Sequence, residues 1–204
     1  MSPGQARETS VEQVARGVTV RRFEVEGPLL LTPPVFRDDR GYLVERWRED
    51  VCAAAGVAAR FVQDNLSRSR RGVLRGLHFQ RAPHQQGKLV SVARGRVLDV
   101  AVDLRRGSPT YLRHVKAVLD DETHSQLWVP PGFAHGFLAL GDVNDVLYKV
   151  DAFHAPDAEG SLRWDDPGLG IDWQLDELLG GELPLLSPKD AAAPTLADGL
   201  PELD

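Results

Sequence analysis

Short segments in which apolar and polar residues alternate dominate the middle of the chain. Gln63, Asn65 and Ser67 fall on one face of an extended segment, because successive side chains of a strand point in opposite directions. Further on, an apolar face that begins at Leu98 alternates with a polar face that begins at Asp99. A period of two residues predicts β-strands in both segments.

Turn signals separate these segments and place the other elements. An alanine-rich stretch predicts a short helix within residues 49–60. Residues 164–204 look irregular, with one helical turn at 176–179 and a loop at 187–190. The predicted strands lie at residues 42–47, 63–67, 88–92, 98–104, 115–119, 126–129 and 145–152.

Many short strands with few helices predict an all-β fold, either an antiparallel sandwich or a barrel. No internal repeat or low-complexity linker divides the chain. We therefore expect an N-terminal tail at residues 1–18 and a single domain at residues 19–204. Within the tail, Ser10 and Gln13 fit the capping box of a short helix, and a frayed end is the alternative.

The composition narrows the function classes. With 42% hydrophobic and 26% charged residues, the 204-residue chain resembles an ordinary globular domain. We expect no membrane partner, because no apolar run approaches the roughly 20 residues of a span. Residues 1–17 lack a signal-peptide core, and a single Cys52 fits a reducing compartment, so we expect a cytoplasmic protein. The net charge of −6 argues against a nucleic-acid partner.

Four arginines form a local positively charged cluster in this acidic chain. Such a cluster suits the binding of a small anion such as a diphosphate. Arg75 sits against the apolar Val73, Leu74 and Leu77, so we expect it to be held in place. The other three also fit a solvated loop. The four residues are Arg68, Arg70, Arg71 and Arg75.

Three side chains supply candidate chemistry. Histidine is the side chain whose pKa in free form lies nearest neutrality, so His78 in a polar pocket suits a general base. Lys88 shares the face of Val90 and Val92 in its strand, so it either snorkels at the strand end or points inward. An inward lysine can neutralise an enolate oxygen, and a buried Tyr148 can deliver a proton. The set suits proton abstraction beside a carbonyl group.

A carboxylate on the other ring nitrogen of His78 would fix the tautomer and stabilise the imidazolium. Spacing alone leaves Asp64, Asp103 and Asp190 open for this role. The row of Gln63 and Asn65 either meets water or lines a polar pocket, since amides recognise the edges of sugars and bases.

A metal centre is the competing interpretation. The corner Pro131-Gly132-Phe133-Ala134-His135 resembles the second sequence motif of cupins, whose metal-binding members supply a histidine there. Those members also carry a His-x-His pair and a glutamate, whereas here His78 is followed by Phe79-Gln80 and Lys88 would repel a cation. Two histidines without a carboxylate make a poor metal set. A nucleophilic enzyme is disfavoured, since no elbow-like Gly-x-Ser-x-Gly context is present.

Several motifs, in order and spacing, resemble those of the dTDP-4-dehydrorhamnose 3,5-epimerases. The resemblance covers residues 20–194, nearly the whole chain. The motifs are Arg75-Gly76-Leu77-His78-Phe79, Gln86-Gly87-Lys88, Gly107-Ser108-Pro109-Thr110, Pro131-Gly132-Phe133-Ala134-His135-Gly136-Phe137, Leu147-Tyr148-Lys149 and Trp164-Asp165-Asp166-Pro167.

This resemblance implies a cupin-like double-stranded β-helix, or jelly roll, with a few short peripheral helices. It implies a homodimer whose N-terminal strands reach across to the partner, and no metal or organic cofactor. The implied reaction converts dTDP-4-dehydro-6-deoxy-D-glucose to dTDP-4-dehydro-L-rhamnose by proton removal and return at C3 and C5.

The resemblance also implies roles for individual residues. His78 matches the base, Asp190 its carboxylate, Tyr148 the acid on the far face and Lys88 the group that stabilises the enolate. The matched substrate-binding positions are Arg40, Glu45, Gln63, Asn65, Arg75, His135 and His154.

Two departures from the family pattern fall at the nucleotide end of the expected pocket. Leu43 and His154 stand where many members have aromatic residues that stack on the base. A different base preference, or a 3- or 5-epimerase of a secondary-metabolite pathway, is therefore an alternative. A ketoisomerase, a catalytically silent sugar-binding protein and a metal-dependent cupin oxygenase are further alternatives.

Overall fold

The computed structural model describes residues 4–199, and β-strands account for most of its regular structure. The strands are β1 Glu8–Gln13, β2 Thr19–Phe23, β3 Leu29–Thr32, β4 Val35–Asp38, β5 Gly41–Val44, β6 Gln63–Arg70, β7 Leu74–Gln80, β8 Lys88–Arg94, β9 Arg96–Asp103, β10 His114–Asp120, β11 Gln126–Val129, β12 Phe133–Ala139, β13 Val143–Val150 and β14 Glu159–Ser161. The α-helices are α1 Glu49–Ala55, α2 Leu175–Leu179 and α3 Pro188–Ala191. None of the helices within residues 4–199 has the length and apolar character to cross a lipid bilayer.

Two antiparallel sheets hold the fold together. The larger has seven strands in the order β1-β2-β3-β11-β8-β13-β6, and the smaller has five in the order β10-β9-β12-β7-β14. A separate hairpin pairs β4 with β5. Sequence neighbours are often not sheet neighbours, which is the crossing connectivity of a jelly roll. The arrangement confirms the predicted all-β, cupin-like fold with short peripheral helices.

Both faces of the central strands are buried. Val90 and Val92 of β8 pack with Val97 and Ala101 of β9 in the space between the sheets. The opposite face of β9 packs under the C-terminal segment, where Trp173 is buried. The outer face of the seven-stranded sheet is partly covered by helix α1. The predicted polar face of β9 therefore points into the interior rather than into water.

Glycine is required where β7 and β12 approach each other. Gly76 has a φ of +132°, and a Cβ atom there would lie 2.5 Å from the Gly136 Cα atom. Gly136 faces the same limit, since its Cβ atom would lie 2.7 Å from the Arg75 carbonyl oxygen. This contact sets the spacing of the two strands that carry His78 and His135.

The N-terminal helix predicted around Ser10 and Gln13 is wrong. Strand β1 pairs with β2 instead, and all six of its residues are exposed. An edge strand without a buried face needs no apolar alternation, so the sequence carried no strand signal there. Residues 1–3 of the predicted tail lie outside the described range, and the division of the chain at residue 18 stays a prediction.

The C-terminal segment is more ordered than predicted. The helical turn expected at 176–179 is confirmed by α2, but the predicted loop at 187–190 is the one-turn helix α3. Ser187 caps this helix by accepting a hydrogen bond from the Asp190 N–H group. Helix α1 is confirmed but ends at Ala55, because Gly56 adopts a left-handed conformation with φ of +100°.

His114 of β10 is a buried histidine outside the pocket. The residue is 1% exposed, and the hydrogen bonding around its ring does not offset the effect of this burial. Burial, together with the nearby charge of Lys116, lowers the pKa of His114 to about 4. The folded protein therefore holds this imidazole neutral.

We predict that His114 limits stability in acid. Its folded pKa lies below its unfolded value, so its contribution is complete above about pH 6.5 and is lost as the pH falls toward 4. Between pH 7 and pH 5 this amounts to about 2 kcal/mol of unfolding free energy. We expect urea unfolding to show that His114→Leu loses about 2 kcal/mol less unfolding free energy than the wild-type protein when the pH falls from 7 to 5. The exposed His84→Leu serves as the control, and an equal pH dependence in all three proteins would contradict the assignment.

Candidate active site

One pocket between the two sheets gathers most of the predicted site residues. Its walls come from strands of both sheets, so it lies in the space between them. One end of this space is the polar pocket, and the other end is filled by apolar side chains. The residues that line it are Gln63, Asn65, His78, Phe79, Gln80, Gln86, Lys88, Tyr148, His154 and Glu159.

His78 and Asp190 form a hydrogen-bonded pair. The Nε2 atom of His78, on β7, lies 2.5 Å from Oδ1 of Asp190, on α3. The Ser187 hydroxyl donates to the other carboxylate oxygen at 2.8 Å, and Asp190 is 3% exposed. Because an ionised carboxylate only accepts, Nε2 carries the proton and Nδ1 is the basic nitrogen. The pair therefore has the arrangement of a general base with its orienting carboxylate.

The pair also keeps Asp190 ionised. Burial alone would raise the pKa of Asp190, but hydrogen bonds from His78 and Ser187 outweigh it and lower that pKa. A carboxylate that is charged before the reaction stabilises the imidazolium that forms when His78 takes a proton. Among Asp64, Asp103 and Asp190, the structure thus brings only Asp190 within hydrogen-bond distance of His78.

Tyr148 reaches the pocket from the sheet opposite His78. It lies on β13 of the seven-stranded sheet, on the face that Val146 shares. Burial raises the pKa of Tyr148, and the positive charge of Arg75 only partly offsets this. The phenol therefore stays protonated at neutral pH and can act as an acid. A substrate ring bound between the two sheets would have the base His78 on one face and the acid Tyr148 on the other.

Lys88 points inward, as its shared face with Val90 and Val92 allowed. Its side chain keeps some accessible surface toward the pocket, although protein atoms surround the amine on the other sides. Burial lowers the pKa of Lys88 to about 8, while the negative charges of Asp99 and Glu159 oppose the shift. The ammonium form is thus present at neutral pH in a setting where its charge is weakly screened.

The amide row lines the pocket rather than meeting water. Gln63 donates through Nε2 to the Asn65 side-chain oxygen at 2.9 Å, and the backbone N–H of His154 donates to the Gln63 side chain at 3.3 Å. These bonds fix the orientation of both amides. Of the two environments that the sequence left open for the polar face of β6, water or a pocket, the structure shows the pocket.

His135 and Arg75 lie beside the pocket rather than on its lining. The Nε2 atom of His135 lies 2.8 Å from Oδ1 of Asp99, and its residue is opposite His78 in the β12–β7 ladder. Arg75 donates to the Ser69 hydroxyl at 3.0 Å and to the Arg68 carbonyl at 3.1 Å. Both bonds hold the Arg75 guanidinium near the Tyr148 side of the pocket.

Arg40 and Glu45 are not brought to the pocket of their own chain. Arg40 lies in the turn of the β4–β5 hairpin, is 89% exposed at its side chain and pairs with Asp38. Glu45 follows the same hairpin and pairs with Arg16. Their assignment to substrate binding stays a prediction.

Glu159 is an ionisable pocket group that was not found from the sequence. Glu159 lines the pocket, and its carboxylate lies 2.6 Å from the Lys189 Nζ atom. Burial alone would raise the pKa of Glu159, but Lys189 more than offsets it, so that pKa is lowered. Glu159 belongs to a three-residue strand too short for a pattern, and its partner lies beside Asp190 in a segment interpreted as a loop.

The residues of the pocket do not fit a metal ion. Across residues 4–199, no group of three or more histidine, cysteine or acidic side chains is arranged to hold one. His78 and His135 each already have a carboxylate on the Nε2 atom. A cation bound there would also meet the Lys88 ammonium.

Comparison with known proteins identifies the family of this chain. The sequence model of the family described as dTDP-4-dehydrorhamnose 3,5-epimerase matches residues 22–198. The dTDP-4-dehydrorhamnose 3,5-epimerase of Salmonella typhimurium is 47% identical over 173 residues, which are 84% of this chain and 92% of the relative.

Two solved structures are also similar. The dTDP-6-deoxy-D-glucose-3,5-epimerase of Legionella pneumophila, in complex with dTDP-4-keto-L-rhamnose, has a TM-score of 0.80 at 41% identity, covering 96% of this chain and 98% of that one. A 3'-monoepimerase from Streptomyces bikiniensis, in complex with dTDP-quinovose, has a TM-score of 0.77 at 35% identity, covering 85% and 86%. The family match spans most of the sequence and includes every residue placed in the pocket, so the chain belongs to the dTDP-4-dehydrorhamnose 3,5-epimerase family.

Proposed function

We propose that the protein epimerises a nucleotide-linked 4-keto-6-deoxyhexose, converting dTDP-4-dehydro-6-deoxy-D-glucose to dTDP-4-dehydro-L-rhamnose. The observation that carries the proposal is the placement of His78 and Tyr148 on opposite sheets of one pocket, with the Lys88 ammonium beside them. Epimerisation requires a proton to leave one face of a carbon and another to arrive on the opposite face.

The proposed reaction begins at a carbon next to the C4 ketone. Nδ1 of His78 removes the proton, and the electron pair of the broken C–H bond moves to the ketone oxygen to form an enolate. Lys88 stabilises that oxygen, and Asp190 stabilises the imidazolium. The Tyr148 hydroxyl then donates a proton to the opposite face of the carbon as the C4 ketone re-forms. Tyr148 regains a proton from solvent, and the His78 imidazolium releases one to solvent. The sequence occurs at C3 and again at C5.

The remaining pocket residues are proposed to bind the substrate. Gln63 and Asn65 present fixed donors and acceptors for sugar hydroxyl groups. Arg75 supplies positive charge for the diphosphate. His154 lines the pocket and offers a flat ring for the base. His135 acts from behind the lining through its hydrogen bond to Asp99.

Inversion at a single carbon is the second candidate. Its support is the similarity to the 3'-monoepimerase of Streptomyces bikiniensis, together with a histidine at position 154 of the pocket. Both reactions start with the same proton removal, so the base, the acid and the ammonium keep their roles. The configuration of the product at C5 separates the two.

We infer that the working form is a cytoplasmic homodimer. The β4–β5 hairpin is hydrogen-bonded to neither large sheet, and its Phe36 and Leu43 are 62% and 72% exposed. Strand β6 ends the seven-stranded sheet and carries Gln63 and Asn65 of the pocket. A hairpin that reached across to a partner would bury apolar surface and deliver Arg40 and Glu45 to the partner's pocket. The lone, buried Cys52 fits a reducing compartment.

His78→Ala should abolish exchange of substrate carbon-bound hydrogen with solvent, lowering its rate at least about 10³-fold because no other base occupies the position. Tyr148→Phe should retain exchange but form epimerised product about 10²-fold more slowly, since only the acid is lost. Mass spectrometry in deuterium oxide follows the first step, and NMR follows the product. His84→Ala is the control. Full turnover by His78→Ala would show that another group is the base.

The rate should fall as the pH rises through about 8. The pKa of Lys88 is lowered to about 8, so the ammonium that stabilises the enolate loses its proton there. The pH dependence of kcat/KM in wild type should show this alkaline limb. The guanidinium of Lys88→Arg stays charged throughout that pH range. Its kcat/KM should therefore not fall near pH 8, even if the variant is slower than the wild-type protein at every pH. A limb that stays at the same pH in Lys88→Arg would belong to another group.

Mixing two inactive variants tests the contribution of the partner. If Arg40 serves the partner's pocket, Arg40→Ala and His78→Ala chains combine to give one complete site in each mixed dimer. Half of the dimers in an equal mixture are mixed, so about a quarter of wild-type activity should return. Each variant alone is the control. If Arg40 served its own chain, the mixture after denaturation and refolding would stay inactive.

A further inference from the structure

Two groups of opposite charge, the half-buried Lys88 and the fully buried Asp99, point toward the same interior space from facing sheets. Lys88 begins β8 of the seven-stranded sheet and shares the inward face of Val90 and Val92. Asp99 lies in β9 of the five-stranded sheet and shares the inward face of Val97 and Ala101. The two strands belong to different sheets and are not paired with each other. The two charges therefore meet the same space only because both side chains point inward.

Asp99 is fully buried yet only half satisfied. Its residue is 0% exposed, and Oδ1 lies 2.8 Å from the His135 Nε2 atom. Among the described residues, Oδ2 finds no hydrogen-bond partner. A buried carboxylate oxygen without a partner is costly, and such groups are usually paired. His135 thus fixes the orientation of a carboxylate whose second oxygen accepts no hydrogen bond from the described residues.

Asp103 shows what an ordinary structural aspartate looks like in the same strand. It is also 0% exposed, but its two oxygens accept hydrogen bonds from Arg105, Ser108 and Thr110. These partners account for its burial completely. Within the described chain, the Asp99 carboxylate has only the hydrogen bond with His135, and its negative charge opposes the effect of burial on the pKa of Lys88.

Lys88 lies in surroundings that disfavour its ammonium form. Burial is the largest influence on its pKa, and the charges of Asp99 and then Glu159 oppose it without a hydrogen bond to either. Glu159 is paired with Lys189, which diminishes its effect. The other charged or titratable groups around this space include Arg75, His78, His135, Tyr148, His154 and Asp190.

We propose that Asp99 is a positioning residue whose buried carboxylate, oriented by His135, keeps Lys88 in the ammonium form at neutral pH. The Asp99 carboxylate attracts the ammonium group without accepting a hydrogen bond from it. The N–H groups of Lys88 Nζ therefore remain available to a substrate in the pocket. Its catalytic consequence rests on the proposed function, since only a reaction through an enolate needs that ammonium. The ionisation of Lys88 itself does not depend on any reaction.

The chain permits a direct measurement, because it contains only four lysines, at positions 88, 116, 149 and 189. Protein labelled with ¹³C at lysine Cε gives one NMR signal for each, and Lys88→Arg identifies the signal of Lys88. Its pH titration reports the ionisation of Lys88 in substrate-free protein. Asp99→Asn should lower the Lys88 pKa by at least about one unit, since an opposite charge in a poorly screened interior is removed.

Asp103→Asn is the matched control, since it removes a charge of equal burial from the same strand. It should destabilise the fold while leaving the Lys88 titration within about 0.3 unit of wild type. Asp99→Glu retains the charge and should shift the Lys88 pKa less than Asp99→Asn does. If Asp99→Asn does not give a native spectrum, Asp99→Ser takes its place as a smaller neutral variant.

A Lys88 titration that is unchanged in Asp99→Asn or Asp99→Ser would overturn the proposal, as would an equal shift in Asp103→Asn. In active protein, the alkaline limb of kcat/KM should move to lower pH with the Lys88 signal. A shifted Lys88 signal in protein without epimerase activity would leave the role of Asp99 intact and remove the proposed function.

Discussion

The hydrogen bond between His78 and Asp190 joins the five-stranded sheet to a helix that lies 112 residues further along the chain. It determines which imidazole nitrogen is basic, and it satisfies a carboxylate that would otherwise be buried without a partner. It also requires the C-terminal segment to fold back over the sheet, where Leu162, Leu169 and Trp173 pack. The chemistry of the pocket and the closure of the fold therefore depend on the same contact.

The interior of the sandwich is divided between packing and chemistry. One end holds the apolar cluster that includes Val90, Val97 and Phe137, and the other holds His78, Lys88 and Tyr148. Burying ionisable groups costs stability, but it weakens the screening of their charges and shifts their pKa values toward useful ones. Lys88 illustrates both effects, since burial lowers its pKa and facing carboxylates prevent a larger change.

Much of this arrangement was accessible from the sequence, and the failures have physical causes. The period of two placed Gln63 and Asn65 on one wall and allowed Lys88 to point inward, because strand geometry alone fixes the face of a side chain. The carboxylate partner of His78 remained open among three aspartates until the family resemblance identified Asp190, since a contact across 112 residues leaves no local signal. Glu159 and strand β1 were missed because neither has an apolar face that repeats.

In the proposed reaction, hydrogen leaves one face of the substrate carbons and returns to the other through an enolate. NMR analysis of the product formed from dTDP-4-dehydro-6-deoxy-D-glucose by the wild-type protein in deuterium oxide detects both events. We expect one solvent deuteron at C3 and one at C5, both in the L-rhamno configuration. Folded protein that leaves hydrogen at both carbons would contradict this expectation.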